Sequence, residues 1–241
     1  MPINGAVAAD MGQFDFSVVL TGEFRAWLVG GFLLSLQLMV VTWILSVPIA
    51  TAVALCRLSA VGLLRGLGTL YVEAIRNVPL LVHMLFWYFA MPEALPEVTR
   101  NWLYAHNAES ICAIIALTLY TSSYMAEDIR SGIRAVPLTQ FEAARALGFG
   151  FLSSMRRVVL PQALRIVVPP LISQTLNLWK NTSIATVIGT AELMYQAQRV
   201  ETTSFRGVEV FGVTTLAYLS VSLGITAFAA WFQHRFPVRA S

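Results

Sequence analysis

Two long stretches of this chain contain no formally charged residue. No Asp, Glu, Lys or Arg occurs from Ala26 to Cys56, or from Val210 to His234. About 20 apolar residues in a helix cross the roughly 30 Å hydrocarbon core of a bilayer, so either stretch is long enough to span one. Shorter uncharged stretches occupy 77–92, 110–126, 166–179 and 181–191, the last two parted only by Lys180. Over the 241 residues only 12% are charged, against about 25% in an ordinary soluble domain. With a mean hydropathy of +0.68, a water-soluble fold would leave too much apolar surface wet. The sequence predicts an all-α integral membrane protein with about five transmembrane helices, near 28–55, 69–91, 110–130, 166–194 and 209–233.

The arginines set the orientation. Three, six and two of them fall in 57–76, 127–165 and 234–241, against one, one and two in 1–25, 92–109 and 192–209. Excess Lys/Arg marks cytoplasmic segments, so the N-terminus is expected outside and the C-terminus inside, which an odd number of spans permits. On this reading residues 1–25 are a periplasmic N-terminal segment. Residues 26–241 are a single transmembrane domain with a cytoplasmic loop at about 131–165. The net charge of +3 follows from topology and implies no nucleic-acid partner. The first 25 residues lack the basic start and short apolar run of a removable signal peptide. Cys56 and Cys112 have no paired spacing and read as small buried apolar residues. The three His and two Cys show no metal-ligand spacing, and 62-GLLRGLG-68 lacks the Lys of a phosphate-binding loop. The chain reads as a non-enzyme without a catalytic residue or a metal site.

Two segments carry polar interruptions. Arg76-Asn77-Val78-Pro79 breaks the second, because proline frees a backbone carbonyl and kinks a helix. Beyond it, Trp87 and Tyr88 before Pro92 read as an interfacial belt, and His83 sits in the apolar run. His83 is either bonded to a neighbouring helix or part of a pathway. The fourth segment carries Gln174, Asn177, Lys180, Asn181, Thr182 and Ser183, with Glu192 near its outer end. Asn177, Lys180 and Asn181 share one helical face by their i, i+3 and i+4 spacing. Polar groups at membrane depth are candidate pathway residues. The bland alternative is that Lys180 snorkels or pairs with a neighbouring chain while the amides and hydroxyls hold helices together.

The long loop carries helix punctuation. Thr139 followed by Glu142 fits a capping box opening a helix over about 140–147, and Gly148 supplies the left-handed residue that ends it. Ala143, Ala146 and Leu147 share a face that permits close approach. Two turns are marginal alone, so this helix needs a partner to pack against. A second short helix is expected over about 153–159, opened by Ser153 or Ser154 and ended before Pro161.

Glu142-Ala143-Ala144, three residues, Gly148, nine residues, then Val158-Val159-Leu160-Pro161 resembles the EAA loop of ABC-importer permeases. Val158 in place of Ile is the one departure. The stretches 71-YVEAIRNVPLLV-82, 87-WYFAMPE-93 and 177-NLWKNTSIATVIGTAEL-193 extend the likeness to the polar amino-acid branch, closest to glutamate/aspartate-type permeases. This resemblance implies a permease subunit in a bacterial inner membrane that forms a pore with a second permease, sister or identical. It also implies an ATPase dimer holding ATP and Mg, and a periplasmic binding protein that delivers the amino acid. The chain itself would hold no cofactor. Glu142, Ala143, Ala144, Arg145, Gly148, Leu160 and Pro161 would couple it to the ATPase. The alternatives are another polar amino acid as cargo (glutamine, histidine, arginine or an opine), or an ion-coupled secondary transporter.

Overall fold

A computed structural model describes residues 14–237, so residues 1–13 of the expected periplasmic segment and Arg239 of the basic C-terminus lie outside the described residues. The described chain is helical and, within those residues, contains no strand. In order the helices are α1 (Phe16–Leu20), α2 (Gly22–Leu58), α3 (Gly62–Arg76), α4 (Leu80–Leu85), α5 (Glu97–Ala105) and α6 (Ala108–Arg134). There follow α7 (Leu138–Ala146), α8 (Phe151–Ser154), α9 (Leu160–Asn181), α10 (Leu193–Ser204) and α11 (Gly207–Arg235).

The helix α2 shows what kind of solvent the fold expects. Its buried positions are Leu28, Gly31, Ser35, Leu38, Thr42, Ser46, Ala50 and Ala54, a stripe at three- and four-residue spacing made mostly of small and hydroxylated side chains. Val29, Leu33, Val40, Ile44 and Leu55 point outward instead. This inverts the soluble pattern and suits lipid, where small residues let helices approach closely and large apolar ones meet acyl chains. From Leu38 to Ala50 the stripe packs on α6, whose buried face carries Ala113, Ala116, Thr118, Thr121, Ser122 and Ser123, while Leu28, Gly31 and Ser35 face the later helix α10. Hydroxyls knit α6 to its neighbours: Ser46 Oγ of α2 donates to the Thr118 carbonyl at 3.3 Å, and Tyr71 Oη of α3 lies 2.7 Å from Ser122 Oγ. The central core joins α2, α4, α6 and α9 through Leu38, Met84, Leu117 and Leu178, and includes the buried, unpaired Cys112; Cys56 is half-buried.

By length and composition, α2 and α11 can each cross a membrane, and the bent pair Gly62–Arg76 and Leu80–Ala94 would make a third span. The remaining expected spans correspond to α6 and α9. At 1.5 Å per residue their 27 and 22 residues are long enough, but polar residues interrupt their apolar runs.

The structure revises several expectations. The second segment is two helices bent by 98° at the Arg76–Pro79 break, rather than one kinked helix. Trp87 and Tyr88 pack against the core; Phe86 and Phe89 are the exposed rings. The fourth segment does not continue to 194: α9 stops at Asn181, a 3₁₀ turn occupies Thr182–Ile188, and Gly189 is left-handed at φ +83°. The short helix expected at 153–159 is not separate either. A π-helical turn over Met155–Val159 joins α8 to α9, and its widened spacing lets Pro161, which has no N–H, enter the first turn without ending the helix.

One crossing is closer than any side chain permits. A Cβ built on Gly132 of α6 would stand 2.2 Å from Val167 Cγ2 of α9. Gly132→Ala is expected to destabilise the protein by about 1–3 kcal/mol. Thermal unfolding of the purified protein measures this, and adding Val167→Ala should recover most of the loss.

Candidate functional site

The first candidate element is α7. Pro137 precedes it and the Pro137 carbonyl accepts from Gln140 N at 3.0 Å. The helix therefore begins at Leu138, one residue before the predicted cap. Thr139 is already helical, where its hydroxyl cannot reach the orphan amides, and the predicted capping box with Glu142 does not form; no side-chain cap bond is present. Glu142 is exposed on the helix instead.

The other end follows the sequence closely. Gly148 has φ +86°, its N–H donates to the Arg145 carbonyl at 2.9 Å, and Phe149 N–H donates to the Ala144 carbonyl at 3.1 Å. That pair of bonds is a Schellman closure, which a left-handed residue at this position makes possible. Arg145 adds a bond from Nη1 to the Phe149 carbonyl at 3.3 Å. Only Ala144 of α7 is buried, and the Phe141 ring meets Phe151 edge-on at 5.7 Å. Ala143 and Ala146 are exposed, with Leu138 at 78% and Leu147 at 79% exposure. Leu160 and Pro161 open α9 and are also exposed.

The second candidate is a polar cleft of about 540 Å³ between α6 and α9, lined by Tyr120, Thr121, Tyr124, Gln174, Asn177, Leu178, Lys180 and Asn181. The structure thus brings Asn177, Lys180 and Asn181 together. It sends the other polar candidates elsewhere. Thr182 is buried with its hydroxyl on the Trp179 carbonyl, and Ser183 Oγ bonds the Lys180 carbonyl, so both serve the helix end. His83 Nε2 donates to the Ile75 carbonyl at 3.0 Å. Ile75 lies four residues before Pro79, which has no N–H to give its carbonyl, and Val78 N at 3.4 Å and His83 supply the donors instead. Its ring touches Tyr120 edge-on at 6.2 Å and so borders the cleft wall without entering it.

Glu192 is fully buried away from the cleft. It caps α10 by accepting from Tyr195 N at 2.9 Å, and it also accepts from Ser35 Oγ at 3.1 Å and Tyr218 Oη at 3.0 Å, tying α2, α10 and α11 together.

Tyr120, Thr121 and Tyr124 escaped the sequence reading, although the i, i+4 spacing of the two tyrosines within the uncharged run 110–126 was a usable signal. Cation placement around the cleft is also a structural result. The Arg76 guanidinium lies 4.6 Å from the Tyr124 ring centre, and Glu127 pairs with both Arg57 and Arg130, fastening the end of α2 to α6. Gln174 Nε2 donates to Asp128 Oδ2 at 2.9 Å. Lys180 forms no ion pair among the described residues, and no carboxylate lines the cleft.

Residues 45–238 match the profile of the family described as "Binding-protein-dependent transport system inner membrane component". The chain is 35% identical over 203 residues to the glutamate/aspartate import permease protein GltJ of Escherichia coli (strain K12), covering 83% of this chain and 82% of that one. It is 38% identical over 190 residues to the probable glutamine ABC transporter permease protein GlnM of Bacillus subtilis (strain 168), covering 79% and 84%. Among solved structures it superposes on an amino acid ABC transporter crystallised with histidines. That match has a TM-score of 0.78 at 26% identity, over 98% of this chain and 100% of that chain. The inward-facing MetNI methionine ABC transporter shares the fold at TM-score 0.67 and 17% identity, over 88% and 99%.

Proposed function

The chain belongs to the family of binding-protein-dependent transport system inner membrane components, as a permease subunit of an ABC amino-acid importer; on that premise we propose that its cargo is an acidic amino acid, glutamate or aspartate. The cleft between α6 and α9 is the cargo path in this subunit. The observation that carries this reading is the charge of the cleft: among the described residues Lys180 is its one lining cation, and no carboxylate lines it to repel an anion. Lys180 holds the cargo's carboxylate, and Asn177 and Asn181 on the same face supply amide groups beside it.

In this reading the subunit pairs with a second permease, sister or identical, in a bacterial inner membrane, with the N-terminus outside, the C-terminus inside and about five spans. A periplasmic binding protein delivers the cargo. ATP and Mg reside on a separate ATPase dimer, into which α7 docks through the exposed Leu138, Ala143, Ala146 and Leu147. The chain's connectivity supports such coupling. α7 follows α6 after three residues, and the helical run from Phe151 to Asn181 carries its other end into α9. These are the two helices that wall the cleft. A push on α7 therefore moves both walls about their crossing at Gly132 and Val167, and the subunit needs no chemistry of its own.

Uptake by the reconstituted transporter tests the cargo assignment. Lys180→Met is expected to raise KM for L-glutamate at least about tenfold, the worth of a charge-assisted hydrogen bond, and Lys180→Arg should retain most of the affinity. Transport of L-glutamine in place of L-glutamate by the wild-type assembly would replace the acidic cargo with a neutral one, as the likeness to GlnM suggests.

A further inference from the structure

One carboxylate stands just behind the cleft. Asp128 lies on α6, four residues past Tyr124, and its Oδ2 accepts the Gln174 Nε2–H at 2.9 Å. A carboxylate only accepts hydrogen bonds, whereas the two ends of a glutamine amide differ: the nitrogen donates and the oxygen accepts. Asp128 thereby fixes which end of Gln174 it holds. The nitrogen is committed to Asp128, and Oε1 is left to serve the cleft that Gln174 lines. Gln174 and Lys180 are six residues apart on α9, roughly 9 Å at 1.5 Å per residue. An acceptor and a cation are thus set at two ends of one polar cleft.

We propose that Asp128 is a positioning residue that holds the Gln174 carbonyl as the acceptor for the α-ammonium group of the cargo, so that the cleft distinguishes an amino acid from a carboxylic acid of the same shape. This rests on the cleft being the cargo path and deepens that reading. The discrimination holds for any α-amino acid, whether its side chain is acidic or neutral, because the ammonium group is common to them all.

The test compares ligands that differ in that one group. Binding of L-glutamate and of glutarate, and of L-glutamine and its deamino analogue glutaramate, is measured on the complete permease–ATPase assembly in nanodiscs without the binding protein. The wild type is expected to prefer the amino acid over its deamino analogue. Asp128→Asn, which can turn either amide end toward Gln174, should cut that preference roughly tenfold, mainly by weakening the amino acid and sparing the analogue. Gln174→Leu should remove the preference, and adding Asp128→Asn to it should change nothing further. A loss of affinity for both ligands alike in Asp128→Asn, or an unchanged ratio, overturns the positioning role. A merely structural Asp128 would give the first of these. Lys180→Met separates the two levels: if it alters binding while Asp128→Asn leaves the ratio alone, only the positioning role falls. If it alters the binding of no ligand, the cleft reading falls, and this inference with it.

Discussion

Replacing Gly148 with valine is expected to reduce ATP-driven uptake by the reconstituted transporter more than tenfold while leaving the protein folded. Gly148 adopts φ +86°, and no atom lies within 4 Å of a Cβ built there, so space is not the obstacle. The obstacle is the backbone. A left-handed conformation costs a non-glycine residue about 1–2 kcal/mol, and a β-branched one more. Valine relieves that strain by leaving the left-handed region, which breaks the bonds from Gly148 N and Phe149 N that close α7. The helix then loses its fixed angle to α8, and the push it should transmit goes astray. Global stability should change little, with a midpoint shift of only a few degrees, because α7 buries just Ala144. Gly148→Asn is the informative companion, since asparagine tolerates the left-handed region and should keep most of the uptake. Uptake and thermal unfolding measured on the same preparations separate a coupling defect from a folding defect.

Glu192→Leu is expected to produce the opposite pattern, a large loss of stability. The carboxylate is fully buried and accepts from Tyr195 N, Ser35 Oγ and Tyr218 Oη. Leucine would leave three donors short of an acceptor, each at about 1–3 kcal/mol. Ser35 Oγ still accepts from Leu193 N, but its own O–H loses its acceptor. The net loss should be about 3 kcal/mol, a fall of roughly 6–12 °C in midpoint for a chain of this size. Glu192→Gln keeps an acceptor for the helix cap and should lose no more than about 1 kcal/mol. Gly31 sharpens the point, because a Cβ there would stand 2.9 Å from the Glu192 carbonyl oxygen, so α2 and α10 have no slack to repack around a foreign side chain.

What the sequence made legible follows from the range of each interaction. Gly148 was readable because a left-handed helix end is a local demand that one residue type meets. The shared face of Asn177, Lys180 and Asn181 was readable because helical periodicity alone determines it. The start of α7 was misread by two residues: Thr139 and Glu142 fit a capping box as a pattern, but Pro137 had already set the backbone and supplied a carbonyl at the right place. The role of Glu192 was hidden for a different reason. Its partners Ser35 and Tyr218 lie 157 and 26 residues away, and nothing in the local pattern of Thr190-Ala191-Glu192-Leu193 points to either. The break at Arg76–Pro79 was visible as proline, but its 98° bend was not, and nothing in the local pattern points to the bond by which His83 returns to the Ile75 carbonyl. The inverted amphipathicity of α2 fell between these cases: its length and charge gap announced a span, and only packing against α6 showed which side faces protein.

On the proposed coupling, α7 is the surface through which a separate ATPase moves the walls of the cleft. The most direct measurement places a photo-crosslinking amino acid at Leu147, which is 79% exposed, in the complete transporter. Irradiation should join this chain to the ATPase subunit, with a yield that changes when ATP is added, and the same probe at Val29 on the outward face of α2 should not capture the ATPase. Crosslinks from position 147 to lipid or to the other permease alone, with none to the ATPase in any nucleotide state, would mean that α7 does not dock on the ATPase.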